Sequence, residues 1–289
     1  MGSFSVLNNV SGLNSQNQLT LNNVNLSRTL MRLSSGKRIN SGADDAAGLQ
    51  IADSLRSNVR ALDQAVRNAN DGISVAQFAD GALNEIGNLL TRAVTLAEEA
   101  ATDTVDSAGR ISLDNEYKQI QSEIARIATQ TNFNGTAIFS TSGVNFNGSV
   151  SVFVGDTSGA SSIAVTIAQV TVDNAAGEVT DLNGSDISGV DLTATVSAAT
   201  SLTTIKGAID AVAASRASIG SGINRLQSAV AVLQSQAQNT TAAESTIRDA
   251  NIAQEVANLT KYQILAQSGI ASLAQANTQS QQVLGLLRM

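Results

Sequence analysis

LRSNVRALDQAVRNANDGISVAQFADGALNEIGNLLTRAVTLA, residues 55–97, carries a repeat in alternating steps of four and three. Its members are Leu55, Val59, Leu62, Val66, Ala69, Ile73, Ala76, Asp80, Leu83, Gly87, Leu90, Val94 and Ala97. A helix shows this spacing when one narrow seam faces another helix. The run crosses Asn70-Asp71-Gly72, which turn chemistry reads as a break. A real break would reset the register, whereas one Gly costs a helix about 1 kcal/mol. The unbroken phase therefore predicts a single helix from residue 44 to 100, about 80 Å long at 1.5 Å per residue.

Both ends of the chain carry the same repeat. The first stripe runs Val6, Val10, Leu13, Asn17, Thr20, Val24, Ser27, Met31. The last runs Ile252, Val256, Leu259, Gln263, Ala266, Ile270, Leu273, Asn277, Ser280, Leu284, Leu287. Polar residues interrupt each, so neither helix is firmly stable alone in water. Their partners are each other and neighbouring copies. Asn17, Gln263 and Asn277 are read as polar seam residues that fix register at some cost in stability.

Between Arg32 and Gly48, glycines amid small polar residues form a linker, with Ser41 or Asp44 as the cap of the next helix and Asp45 in its first turn. Beyond the long helix, a loop from Asp103 to Gly109 leads to Leu113, Tyr117, Ile120, Ile124 and Ile127, and Asn132-Phe133-Asn134-Gly135 marks a turn. Ser149–Gly155 and Ile163–Ile167 alternate as short strands. A third long stripe follows: Ile205, Ile209, Val212, Arg216, Ile219, Ile223, Leu226, Val230, Leu233, Ala237, Thr240. The reading is a mainly α chain, a long antiparallel coiled-coil-like helical hairpin with a small β-hairpin region in the middle. Its expected segments are 1–43, 44–135, 136–200 (β-rich), 201–245 and 246–289.

Composition narrows the function. The 289 residues include no Pro, which suits long helices. They include no Cys, which excludes disulfides and thiolate chemistry, and no His, the commonest metal ligand and neutral-pH base. An enzyme is not expected, and neither is a cofactor. A net charge of −7 argues against nucleic acid. No apolar run reaches the length of a membrane span, so membrane insertion is not expected. Met1–Val6 lacks the basic and apolar regions of a cleavable secretory signal.

With these features in place, the residues resemble bacterial flagellin, the flagellar filament subunit. The resemblance rests on Leu33-Ser34-Ser35-Gly36, Arg38-Ile39-Asn40-Ser41, Asp44-Asp45-Ala46-Ala47-Gly48, Arg67-Asn68-Ala69-Asn70-Asp71-Gly72-Ile73-Ser74 and Gly81-Ala82-Leu83-Asn84-Glu85-Ile86. Gln130–Gly135, Asn224-Arg225-Leu226, Ser245–Ala250, Leu273–Asn277 and Gln281–Arg288 continue it, covering residues 5–140 and 200–289. It departs at Ser280, where many relatives carry Pro.

The resemblance implies a short form with two layers only, an inner D0 made by the terminal helices and a D1 shell made by the long central ones. It implies a self-assembling helical homopolymer outside the cell, exported without a cleaved signal peptide. An export chaperone and the hook-associated and cap proteins are the other implied partners. The implied assembly core is Val6, Val10, Leu13, Val24 and Met31 against Ile252, Val256, Leu259, Ile270, Leu273, Leu284 and Leu287. It also implies a contact with Toll-like receptor 5 in a host at Arg92, Leu96 and Glu116. In the alternative structural reading, Leu96 packs inward and the two charges are ordinary surface groups. A second family reading is the hook–filament junction protein, which forms one short ring. Asp44–Gly48 and the C-terminal match favour the filament.

Overall fold

The computed structural model describes residues 9–139, 148–155, 162–173, 178–182, 184–187 and 189–286. Among them run α1 (Val10–Ser35), α2 (Ala46–Ala100), α3 (Ser107–Gln130), β1 (Asn132–Phe133), β2 (Thr136–Ala137), β3 (Ser149–Phe153), β4 (Ser162–Thr166), β5 (Val170–Asp173), β6 (Glu178–Leu182), β7 (Ser185–Asp186), α4 (Thr195–Arg248) and α5 (Ile252–Leu286). The chain is mainly helical with a few small antiparallel hairpins, as the periodicity predicts. It divides into one unit of Asn58–Gln238 and another joining Met1–Ser57 to Asn239–Met289.

In the first of these, α2 passes through Asn70-Asp71-Gly72 without a break. Its most buried line is Leu62, Ala65, Ala69, Gly72, Ala76, Ala79, Leu83, Ile86, Leu90, Ala93, Ala97 and Ala100. Alternate members coincide with the expected stripe. The others fall one residue earlier, leaving Val66, Ile73 and Val94 half-buried at the flank. Helix α4 does the same, burying Ala208, Ser215 and Gly222 where Ile209, Arg216 and Ile223 were expected. At most of the shifted positions the buried residue is the smaller one (Ala65, Gly72, Ala79, Ala93, Ala208, Ser215, Gly222) and the larger neighbour flanks it, whereas Ile86 is buried and Gly87 flanks. A reading weighted by side-chain size is drawn to the flank.

The charged interruptions of the two stripes are each other's partners. Arg216 Nε donates to Asp80 Oδ1 at 2.8 Å and Arg216 Nη1 to Asn84 Oδ1 at 2.9 Å. The Asp80 hydrogen bond is the chief cause raising the guanidinium above its ordinary pKa. Both side chains are over a third exposed, so the pair contributes at most about 1 kcal/mol. Its clearer effect is on register, because α2 and α4 can join Asp80 to Arg216 in only one alignment.

The β region lies on this helical core. β1 and β2 form a two-residue hairpin at Asn134 (φ 50°) and Gly135 (φ 78°). Both turn residues need positive φ, which is why the pair is Asn-Gly. β3 and β4 pair antiparallel, with Val150 opposite Val165 and Val152 opposite Ile163. This hairpin docks against two glycines. A Cβ on Gly72 would meet Val152 Cγ2 at 2.3 Å, and one on Gly222 would meet Val165 Cγ1 at 2.8 Å. Gly72, which turn chemistry reads as a break, and Gly222 within α4 are the seats of the hairpin. β5, β6 and β7 form a three-stranded sheet that buries Val179 and Leu182. It is followed by buried Ile187, whose carbonyl accepts from Gln121 Nε2 of α3 at 3.1 Å. Helix α4 begins at Thr195, so residues 195–200, read from sequence as part of the β-rich segment, are helical.

The start of α2 corrects one assignment. Neither Ser41 nor Asp44 caps it; the Asp45 carboxylate accepts the Gly48 N–H at 2.9 Å. Asp44 is occupied instead by the linker turn, accepting from the N–H groups of Asn40 (3.2 Å) and Ser41 (3.1 Å) and from Ser41 Oγ (3.1 Å). The Ser41 N–H is the main cause holding the Asp44 carboxyl below its ordinary pKa. Capping by Asp45 contributes about 1 kcal/mol.

Candidate assembly interface

In the unit joining the chain ends, α1 and α5 lie antiparallel. Asn9 Nδ2 donates to the Ala276 carbonyl at 3.1 Å, Ser15 and Ser272 hydroxyls meet at 3.5 Å, and Arg32 pairs with Glu255 at 3.6 Å. Gly269 lies so that a Cβ would stand 3.4 Å from Leu19 Cδ1. The face that α1 turns inward is a line of Gly12, Ser15, Leu19, Asn22, Leu26, Thr29 and Leu33. On α5 it is Glu255, Leu259, Tyr262, Ala266, Gly269, Leu273 and Ala276. Both lines keep steps of three and four, so each helix carries a seam toward the other.

The stripe expected on α1 is displaced by two residues from this seam and faces outward. Val10 is 63% exposed, Leu13 56%, Val24 44% and Met31 57%. On α5 the expected stripe divides. Leu259 and Leu273 lie half-buried on the inner line, whereas Ile252, Val256 and Ile270 remain exposed, Ile270 at 59%. Val6, Leu287 and the side chain of Leu284 lie outside the described residues. Among the described residues the pair thus carries a mixed inner face closed within the chain and an outer face whose aliphatics are exposed.

Leu21, Leu30, Ile264 and Leu265 are exposed as well and were missed. They fall outside a strict four-three line, so a reading built on that spacing passes over them. Ser280 lies within α5, which continues to Leu286.

The three receptor-type positions lie on the other unit. Arg92 Nη2 and Glu116 Oε1 form an ion pair at 2.6 Å between exposed side chains of α2 and α3. Leu96 is 1% exposed and belongs to the core. The structure therefore joins the two charges at the surface and places the leucine behind them. Asp44 and Asp45 act separately, one in the linker turn and one as a helix cap. Among the described residues no group of three or more His, Cys, Asp or Glu could hold a metal ion. No helix among them is long and apolar enough to cross a membrane.

Comparison with known proteins agrees with this geometry. Residues 6–143 match the family model described as the bacterial flagellin N-terminal helical region, and residues 202–287 match the C-terminal helical region. The chain is 37% identical over 285 residues to Flagellin FlaB1 of Treponema pallidum (strain Nichols), covering 97% of this chain and 98% of that one. It is 33% identical over 283 residues to the flagellar filament 30.7 kDa core protein of Treponema maltophilum, covering 96% and 98%. A solved structure of a putative flagellar hook-associated protein from Vibrio parahaemolyticus covers 71% of this chain and 100% of its own, at 15% identity and a TM-score of 0.52. At that identity the likeness is one of fold alone.

Proposed function

The chain belongs to the bacterial flagellin family and is a subunit of a flagellar filament; we propose that it enters that polymer by ordering its two ends and burying their outer faces. The observation that carries this reading is the exposed apolar surface of α1 and α5 around Val10, Leu13, Val24, Met31, Ile252, Val256 and Ile270. Each half-exposed aliphatic gains about 1 kcal/mol when covered. Ordering costs about 1–2 kcal/mol per residue for the backbone alone. A lone pair of end helices is therefore marginal, and many contacts must form together. Growth by this route is cooperative and confined to the tip, where several neighbours offer their seams at once. Head-to-tail contacts that do not close produce an open helix of unlimited length.

In this reading residues 1–43 and 246–289 make the inner D0 layer. Residues 44–135 and 201–245 make the D1 shell, with the β-rich segment on it. The subunit leaves the cell without a cleaved signal, escorted by an export chaperone, and meets the hook-associated and cap proteins at the ends of the filament. Any contact with Toll-like receptor 5 rests on Arg92 and Glu116, because Leu96 packs inward. Electron microscopy of purified subunit added to sheared seeds tests the reading. Long tubes, more numerous and shorter as seeds increase, are the expected result. Soluble monomer or closed short rings would overturn it, the rings in favour of a junction protein.

A further inference from the structure

Among the described residues, the backbone links between the two ends lie at one place. Arg38 N–H donates to the Arg248 carbonyl at 2.7 Å and Ala250 N–H to the Gly36 carbonyl at 2.9 Å, a bridge that sets Lys37 against Asp249. Arg38 Nη2 donates to the Ile247 carbonyl at 2.8 Å. Within two turns of this bridge, Arg32 reaches Glu255 at 3.6 Å and Asp44 at 4.0 Å. Arg248 reaches Asp53 of α2 at 3.2 Å and Glu244 of α4 at 3.7 Å. Glu255 and Thr29 are buried here, as is Ile39 in the linker. At the opposite end the links among the described residues are side-chain hydrogen bonds, with no backbone bridge between the helices there. Asn9 Nδ2 reaches Ala276 and Asn277 at 3.1 and 3.4 Å, and Ser15 reaches Ser272 at 3.5 Å.

With residues 58–238 folded, the two free arms that carry α1 and α5 must still be brought together before they can pair, and that closure costs entropy. The Lys37–Asp249 bridge brings them together at the root. From there each added turn orders only its own residues, whereas a start at Asn9 and Ala276 would leave both intervening arms to close first. Helix growth is likewise cheap once a first turn exists.

We propose that the Gly36–Arg38 and Ile247–Ala250 bridge, with the Arg32–Glu255 pair beside it, is the nucleus from which α1 and α5 zip together, root first, as a subunit joins the filament. This rests on the filament reading above and adds the direction and starting point of ordering. Glu255 acts in it as a positioning residue. On the inner line of α5 it is the one carboxylate, and Arg32 is the cation that holds it in register.

The test uses full-length subunit elongating from seeds, followed by light scattering and by pulse-labelled hydrogen exchange. In the unaltered chain, amides of residues 26–35 and 252–262 gain protection before those of 10–19 and 268–279. Glu255→Gln slows elongation about tenfold, as expected when a charge-assisted link in a nucleus is lost. Asn9→Ala slows it less than about twofold, as expected for a contact formed late. The reversed pair, Arg32→Glu with Glu255→Arg, recovers much of the rate. Elongation with simultaneous or tip-first protection, or equal slowing by Asn9→Ala, would overturn the nucleus while leaving the filament reading intact. If the unaltered chain fails to elongate at all, the filament reading itself falls and the nucleus with it.

Discussion

Ile270→Asp is expected to abolish filaments while leaving the subunit soluble and residues 58–238 as stable as before. In the single chain Ile270 is 59% exposed, so an aspartate there remains in water and costs no more than about 0.5 kcal/mol. In the polymer the same side chain is proposed to be covered by neighbours, where an unpaired carboxylate costs several kcal/mol. At about 1.4 kcal/mol per factor of ten, a 4 kcal/mol penalty lowers the addition constant by about a thousandfold. Ile270→Val removes one methylene and costs about 1 kcal/mol, raising the critical concentration less than tenfold. Sedimentation of polymer at increasing subunit concentration separates these cases. Filaments of normal yield from Ile270→Asp would remove Ile270 from the assembly core.

Replacing Gly72 by Ala is expected to destabilise the central unit, although alanine is the better helix former. Alanine gains about 1 kcal/mol of helix propensity. Against this, its Cβ would sit 2.3 Å from Val152 Cγ2 and 3.4 Å from Val152 Cβ and Cγ1. Val152 is buried and paired with Ile163 in the hairpin, and its β-branched side chain has few alternative rotamers. The helix or the hairpin must shift, which costs about 1–3 kcal/mol or more. The clash wins, and urea unfolding should report a net loss of about 1–2 kcal/mol. Gly220→Ala supplies the opposite case, since nothing lies within 4 Å of its added Cβ. It should stabilise by up to about 1 kcal/mol. Equal stabilisation by both variants would mean that the hairpin does not seat on Gly72.

What was legible in the sequence follows from how far each interaction reaches along the chain. Continuity of α2 through Asn70-Asp71-Gly72 was readable because phase is a local property of one helix. The Asn134-Gly135 turn was readable because φ above zero limits the residue choice at that point. The seam was read correctly at alternate positions of α2 and α4 and one residue off at the others. Gly72 and Gly222 are small because the Val152 and Val165 side chains of the hairpin press on them, a constraint set by a distant partner and not by hydrophobicity. Asp80 and Arg216 were each visible as an interruption, but only the fold shows that one answers the other. On α1 the outward stripe was found first, because its larger side chains dominate the pattern. The inner line alternates Leu19, Leu26 and Leu33 with Gly12, Ser15, Asn22 and Thr29, so about half of its members carry no apolar signal. For Leu96 the sequence left a surface contact, implied by resemblance, beside inward packing, and the choice depends on how α2 faces the rest of the core.

Coupling of end ordering to assembly is tested most directly by hydrogen exchange on the same full-length chain as free monomer and as filament. The expected result is rapid exchange throughout 10–35 and 252–286 in the monomer and strong protection of both in the filament, with residues 58–238 protected alike in each. End segments already protected in the monomer to the level seen in the filament would contradict it.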